Sequence, residues 1–182
     1  MNGLYRFDLE GIRVVHVGLH AEWLDYVFAV ITYTGLSEIQ IAGVLILLIW
    51  KSTREYVLPL LLVIALSGIV GSQLTKHLIE RERPSNLVFA HPQEPIYYNS
   101  FPSGHTTTAF ACAFMLLFMT LGTSRAKWGW LALVWAAFVG MSRVYRGVHW
   151  PTDTIAGMCF GLLAACIVRL VQQRIKSGKA VR

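Results

Sequence analysis

TIAGMCFGLLAACIVRLV, residues 154–171, is long and apolar enough to cross a bilayer as one helix, because a span needs about 20 mostly apolar residues to bridge a hydrocarbon core of roughly 30 Å. Outward from it the pattern repeats. Residues 57–75, 106–122 and 128–141 with their flanks reach comparable length, and 35–50 does so if its helix starts near Thr34, which leaves Glu38 near an interface. WLDYVFAVITYTGL, residues 23–36, is shorter and carries Asp25, so an interfacial or re-entrant helix is expected there. Leu4, Phe7, Ile12, Val15 and Leu19 recur at roughly helical spacing, as in an amphipathic helix lying on a membrane surface. With 55% hydrophobic and 14% charged residues, the 182-residue chain has membrane-protein composition.

The expected fold is therefore all-α: an integral membrane bundle of about five to six transmembrane helices with an amphipathic N-terminal segment. No repeat, low-complexity tract or linker divides it. A single domain over 1–182 is expected, with an interfacial segment over 1–33, a transmembrane core over 34–174 and a basic tail over 175–182. Residues 1–21 do not read as a signal peptide, because Asp8, Glu10, Arg13 and His16 interrupt any apolar core and no A-x-A site follows.

Lys51 and Arg54 share one side with Arg125, Lys127, Arg174, Lys176, Lys179 and Arg182, and the excess of cations makes that side cytoplasmic. Lys76, Arg81, Arg83, Arg143 and Arg146 fall on the opposite side. They weaken the rule unless chemistry holds them there.

Three polar clusters lie on that second side. In KHLIERERP (76–84), Lys76 and Arg83 are seven residues apart, so a helix continuing to near Pro84 points both the same way. In FPSGH (101–105), Pro102 suits a first helical position, and Ser103 and Gly104 would offer a hydroxyl and free N–H groups at a positive helix end. Ordinary capping explains Pro102 and Ser103 but not His105. In SRVYRGVHWPTD (142–153), Pro151 opens the last span, and Asp153 in its first turn can hold one nitrogen of His149 and stabilise its protonated form while the other faces a substrate.

Lys76 with Arg83-Pro84, Pro102-Ser103-Gly104-His105, and Ser142-Arg143 with His149 and Asp153 together resemble the three-part signature of the type 2 phosphatidic acid phosphatase (PAP2) family of bacterial integral-membrane lipid phosphatases. The likeness spans residues 76–153 and shows no departure from the pattern. It implies a phosphate cradle of Lys76, Arg83, Ser103, the Gly104 backbone and Arg143. It further implies that His149, oriented by Asp153, attacks phosphorus to give a phosphohistidine, and that His105 protonates the leaving oxygen and then activates water. It also implies a reaction without metal or other cofactor. One carboxylate against at least three cations in these stretches agrees, and a zinc site from His77, His91 and His105 is not expected.

The expected substrate is a lipid phosphate or diphosphate reached sideways from the membrane: undecaprenyl diphosphate, phosphatidylglycerophosphate, phosphatidic acid or a lipid A phosphate. The expected setting is a bacterial inner membrane with the site facing outward. The loop SNLVFAHPQEPIYYNS (85–100) is the candidate lid, with Tyr97 and Tyr98 reading as an interfacial aromatic belt. Cys112, Cys159 and Cys166 lie in apolar helices and are expected to be free thiols. A net charge of +6 suits anionic lipid. Nothing resembles a nucleic-acid motif, and no obligate protein partner is evident. A transporter or flippase for an anionic lipid is the alternative, since ionisable groups also mark transport pathways. A vanadate-dependent haloperoxidase has a similar oxyanion pocket, but the spans argue against it.

Overall fold

The computed structural model describes residues 3–95 and 99–180, so Tyr97, Tyr98 and the end of the basic tail lie outside the described residues. Every regular element among the described residues is helical. Helix α1 (Gly3–Ile12) runs into a π-helical turn (Arg13–Gly18), followed by α2 (Glu22–Tyr33) and α3 (Ser37–Ile46). Helix α4 (Arg54–Gly68) continues through a π segment (Ile69–Leu74) into the short α5 (Thr75–Leu78). A 3-10 turn (Pro84–Asn86) precedes α6 (Gly104–Thr120), α7 (Ala126–Tyr145) and α8 (Pro151–Ala180).

Helix α6 is the centre, packed against α4, α7 and α8. Its residues from Thr106 to Ala111 are all buried, as are Ala113, Met115 and Leu117 further along. The outer helices differ. Trp128, Trp130, Val134, Trp135 and Phe138 of α7, and Leu162, Leu163, Ile167 and Leu170 of α8, stand exposed. Apolar surface on that scale needs a partner, and a lipid bilayer supplies one. Lipid is as apolar as leucine, so inside a bilayer helix association rests on close packing. Gly157 and Gly161 of α8 provide it: a Cβ at Gly161 would lie 2.7 Å from the Thr107 carbonyl oxygen, and one at Gly157 3.0 Å from the Ser103 carbonyl oxygen.

By length and composition, Pro151–Ser177 is the one helix among the described residues that alone suffices to cross a membrane. The 3–18 helix and α2 pass together but meet at a 119° bend, the geometry of a broken or re-entrant element. Helix α3 is shorter than the 34–50 helix expected. It stops at Ile46 because side chains take over the carbonyls beyond it: Thr53 Oγ1 donates to Leu47 O (2.7 Å) and Arg54 Nε to Leu48 O (2.8 Å). The helix bearing Lys76 ends at Leu78 and does not reach Pro84. Arg83 is extended (φ −87°, ψ 161°), as steric conflict with the following proline ring favours. Pro102 likewise stands ahead of its helix, after a cis peptide bond, and Ser103 is the N-cap.

The loops sort the charges as expected. Arg125 NH1 reaches Ser52 O (3.1 Å) and Tyr56 Oη (3.2 Å), which puts the 47–53 and 121–125 turns at one end of the bundle. The three sequence clusters meet at the other end.

Candidate active site

Helix α7 delivers Arg143 in its last turn, and the chain then folds back on it. The amides of Val148 and His149 both donate to the Arg143 carbonyl, each at 3.2 Å. Gly147 makes this turn with φ +67°, and any Cβ there would come within 2.8 Å of the His16 ring. His16 is held in turn, its Nδ1 donating to Tyr145 O (2.7 Å) and its Nε2 accepting from the His91 amide (3.0 Å). Pro151 occupies the first helical position of α8, where its missing N–H costs nothing. This brackets His149 between two rigid helices.

His149 is buried. Its Nε2 lies 3.3 Å from Arg83 NH1, and the same NH1 donates to Val148 O (2.6 Å). Its Nδ1 lies 3.4 Å from Asp153 Oδ2, outside good hydrogen-bond geometry, and has no hydrogen-bond partner among the described residues. Burial, reinforced by the nearby cations Arg143, Arg83 and Lys76, holds the imidazole well below its ordinary pKa. The shift favours the neutral form of the resting ring, and Asp153 stands beside Nδ1, where it can stabilise positive charge that develops on the ring. A neutral imidazole retains the lone pair that a nucleophile needs.

Asp153 is fully buried and already engaged: Oδ2 accepts from the Trp150 amide (2.9 Å) and Oδ1 from Arg81 NH1 (2.5 Å). Arg81 turns its other nitrogen to Asp8 Oδ2 (2.5 Å). Asp8, also fully buried, accepts from the Thr152 amide (2.9 Å) and from Thr152 Oγ1 (2.7 Å). The N-terminal helix thus reaches Asp153 through one guanidinium. The sequence placed Asp8 on a surface helix and left Arg81 without a role.

A cavity of about 390 Å³ opens beside His149, lined by Arg83, His105, Arg143, Arg146, Val148 and Glu94 among others. His105 enters it from the first turn of α6. Arg143 donates through NH1 to Glu94 Oε1 (2.9 Å) and to Thr32 Oγ1, and its buried Nε has no partner. Arg146 Nε donates to the same Glu94 oxygen at 2.5 Å. Lys76 is half-buried at the end of α5, its carbonyl accepting from Asn99 Nδ2 (3.0 Å). Ser103 is fully buried. Its hydroxyl accepts from Thr106 Oγ1 (2.9 Å), it is not among the groups lining the cavity, and its amide donates to Asp153 O (3.1 Å), tying the start of α6 to α8. Gly104 is the first residue of α6.

Of the expected site, the structure brings His149, Asp153, Arg83, Arg143, Lys76, His105 and the Ser103–Gly104 start of α6 to one end of the bundle. Sequence reasoning missed Glu94, Asp8, Arg81, Arg146 and Thr32. Glu94 and Asp8 also correct the count of a single carboxylate. Each is taken up by arginine, and among the described residues no three metal-ligating side chains converge.

The PAP2 superfamily model matches residues 56–177, which include all three clusters. The chain belongs to the PAP2 superfamily. An undecaprenyl-diphosphatase of Sulfolobus acidocaldarius is 31% identical over 85% of this chain and 73% of its own. Phosphatidylglycerophosphatase B of Bacillus subtilis is 32% identical over 92% and 84%. The crystal structure of a transmembrane PAP2-type phosphatidylglycerolphosphate phosphatase from Bacillus subtilis superposes with a TM-score of 0.80 at 28% identity, covering 96% of this chain and 89% of that one. This PAP2 protein is accordingly a phosphatase of lipid phosphate esters, with an all-helical fold.

Proposed function

We propose that this PAP2 enzyme hydrolyses a lipid phosphate or diphosphate through a phosphohistidine on His149, without a metal ion, at the non-cytoplasmic face of a bacterial inner membrane. The observation that carries the reading is the cationic cavity beside a neutral His149, with Arg83 both lining that cavity and lying 3.3 Å from the His149 Nε2 atom. In this reading Lys76, Arg83, Arg143 and the Gly104 amide hold the phosphoryl oxygens. Ser103 completes the cradle, its hydroxyl accepting from Thr106 Oγ1 and keeping its own proton for a phosphoryl oxygen. His149 Nε2 attacks in line, Asp153 positions the ring, and His105 protonates the departing oxygen before activating water.

Five helices (α3, α4, α6, α7 and α8) cross the membrane in this reading with α1 and α2 at the interface, or six if α2 crosses too, so a headgroup enters sideways while its tails stay in lipid. The relatives include an undecaprenyl-diphosphatase, a phosphatidylglycerophosphatase and lipid A phosphatases, so the substrate panel runs over undecaprenyl diphosphate, phosphatidylglycerophosphate, phosphatidic acid and a lipid A phosphate. Phosphate release by the purified enzyme from each of the four lipids is the test. Activity is expected to survive EDTA, because every carboxylate near the site is engaged by arginine. Loss on chelation with rescue by magnesium or zinc would refute the metal-free reading, and no phosphate release from any lipid would favour a flippase.

Orientation has its own test. With Cys112, Cys159 and Cys166 replaced, a cysteine at Ser124 is expected to be protected from an impermeant thiol reagent in intact cells, and one at Ser85 to be labelled. The reverse pattern would invert the topology.

A further inference from the structure

Anion pockets that must distinguish an esterified phosphate from free phosphate face a difficulty, since the same cations bind both. Glu94 stands at this point in the cavity. One of its oxygens, Oε1, accepts from Arg143 NH1 and Arg146 Nε together, at 2.9 and 2.5 Å. A phosphate oxygen would occupy the same position between two guanidinium groups. Glu94 lines the cavity shared by Arg83 and His105, and its side chain is only 23% exposed. Burial alone would raise its pKa, but Arg143 and Arg146 more than offset that and hold the carboxyl below its usual range, so it is an anion at neutral pH. Arg143 is not saturated by this contact, since its Nε is left without a partner. The neighbouring Gln93 ties the loop to Arg146 through its amide, its carbonyl and its side chain, so the Glu94 side chain can turn away while the backbone and the arginines at the end of α7 stay in place.

We propose that Glu94 is a specificity-determining residue: an internal anion that competes for Arg143 and Arg146 and admits only a phosphate whose binding is reinforced by its lipid. Inorganic phosphate, the product, must displace the carboxylate with no other contacts to help it, and therefore binds weakly and leaves readily. A lipid phosphate displaces it at the expense of binding energy gained along its tails, which is how remote contacts serve a reacting centre. The inference rests on the phosphatase reading above and deepens it, because it selects membrane-anchored over water-soluble phosphate esters.

The test uses the full-length enzyme in detergent micelles, with inorganic phosphate as competitive inhibitor and a short-chain soluble phosphate ester beside phosphatidylglycerophosphate and undecaprenyl diphosphate. Glu94→Gln keeps the shape and an accepting oxygen but removes the charge. It is expected to tighten inhibition by inorganic phosphate about tenfold, the scale of one charge-assisted hydrogen bond, and to raise kcat/KM for the soluble ester relative to the lipid. Glu94→Asp, which keeps the charge, is expected to stay close to the native inhibition constant. If Glu94 merely braces the two arginines, Glu94→Gln would weaken phosphate inhibition or leave it unchanged, and either result overturns the proposal. A native enzyme that releases phosphate from no lipid would instead overturn the underlying phosphatase reading.

Discussion

His149→Ala is expected to lower kcat by about 10⁴-fold or more, the usual scale for removing a nucleophile, while lipid phosphate still binds. Binding survives because Arg83, Arg143 and Lys76 are carried by separate segments and do not need the imidazole to hold them. Asp153→Asn should retain a trace of turnover, since the 3.4 Å separation from Nδ1 makes it a positioning group for a ring that the backbone already places. Rapidly quenched native enzyme should carry acid-labile, base-stable phosphate on His149. Phosphoenzyme formation should show no loss from His149 protonation until the pH falls well below 6.5, where a free histidine changes charge, because burial and the surrounding cations lower the ring's pKa. Phosphate mapping to His105 or Ser103, or an alanine variant with substantial turnover, would reassign the roles while leaving the phosphatase intact.

The second large effect is expected far from the signature. Asp8→Ala should cost roughly 3 kcal/mol of stability, at the lower end for breaking a buried ion pair because Arg81 is a quarter exposed. It should also lower kcat by on the order of 10–100-fold, the range for outer-sphere partners. Three bonds vanish together, from Arg81 NH2, the Thr152 amide and Thr152 Oγ1. Arg81 is then free to swing from Asp153, whose orientation it shares with the Trp150 amide. Asp8→Asn should fall between, keeping an acceptor for Thr152 without the charge. Thermal unfolding in detergent and steady-state kinetics measure both parts. A native melting temperature together with native turnover would show that Asp8 is dispensable.

These two residues mark what the sequence can convey. His149 and Asp153 are legible because their relation is local: one precedes a proline-initiated helix and the other lies in its first turn, so helical geometry alone brings them near each other. The last span is legible for a similar reason, since thickness of hydrocarbon translates into residue count, and Pro151–Ser177 is long and apolar enough to meet it. The cations that sat awkwardly with the charge rule, Arg81, Arg83, Arg143 and Arg146, all cluster at one end of the bundle and are held there by specific partners. Asp8 and Glu94 could not be found that way. Their partners lie 73 and 144 residues off for Asp8 and 49 and 52 for Glu94, so only tertiary packing joins them. For Lys76 and Arg83 the premise was wrong: a helix was expected to align them, whereas the helix ends at Leu78 and the proline holds Arg83 in extended chain that returns toward Val148.

The contact of α8 with α6 at Gly157 and Gly161 has a mechanical consequence. Backbone meets backbone there, and the Ser103 amide clasps the Asp153 carbonyl at the top of the same seam. The side chains met there, Thr106, Thr107 and Phe110, are touched at Cβ or Oγ1, close to the backbone, and leave little length to flex. The strut carrying His105 and the strut carrying Asp153 therefore tilt as one piece when the bilayer thins or thickens, and the spacing of these two side chains is set by protein atoms and insulated from the changing composition of the membrane around them.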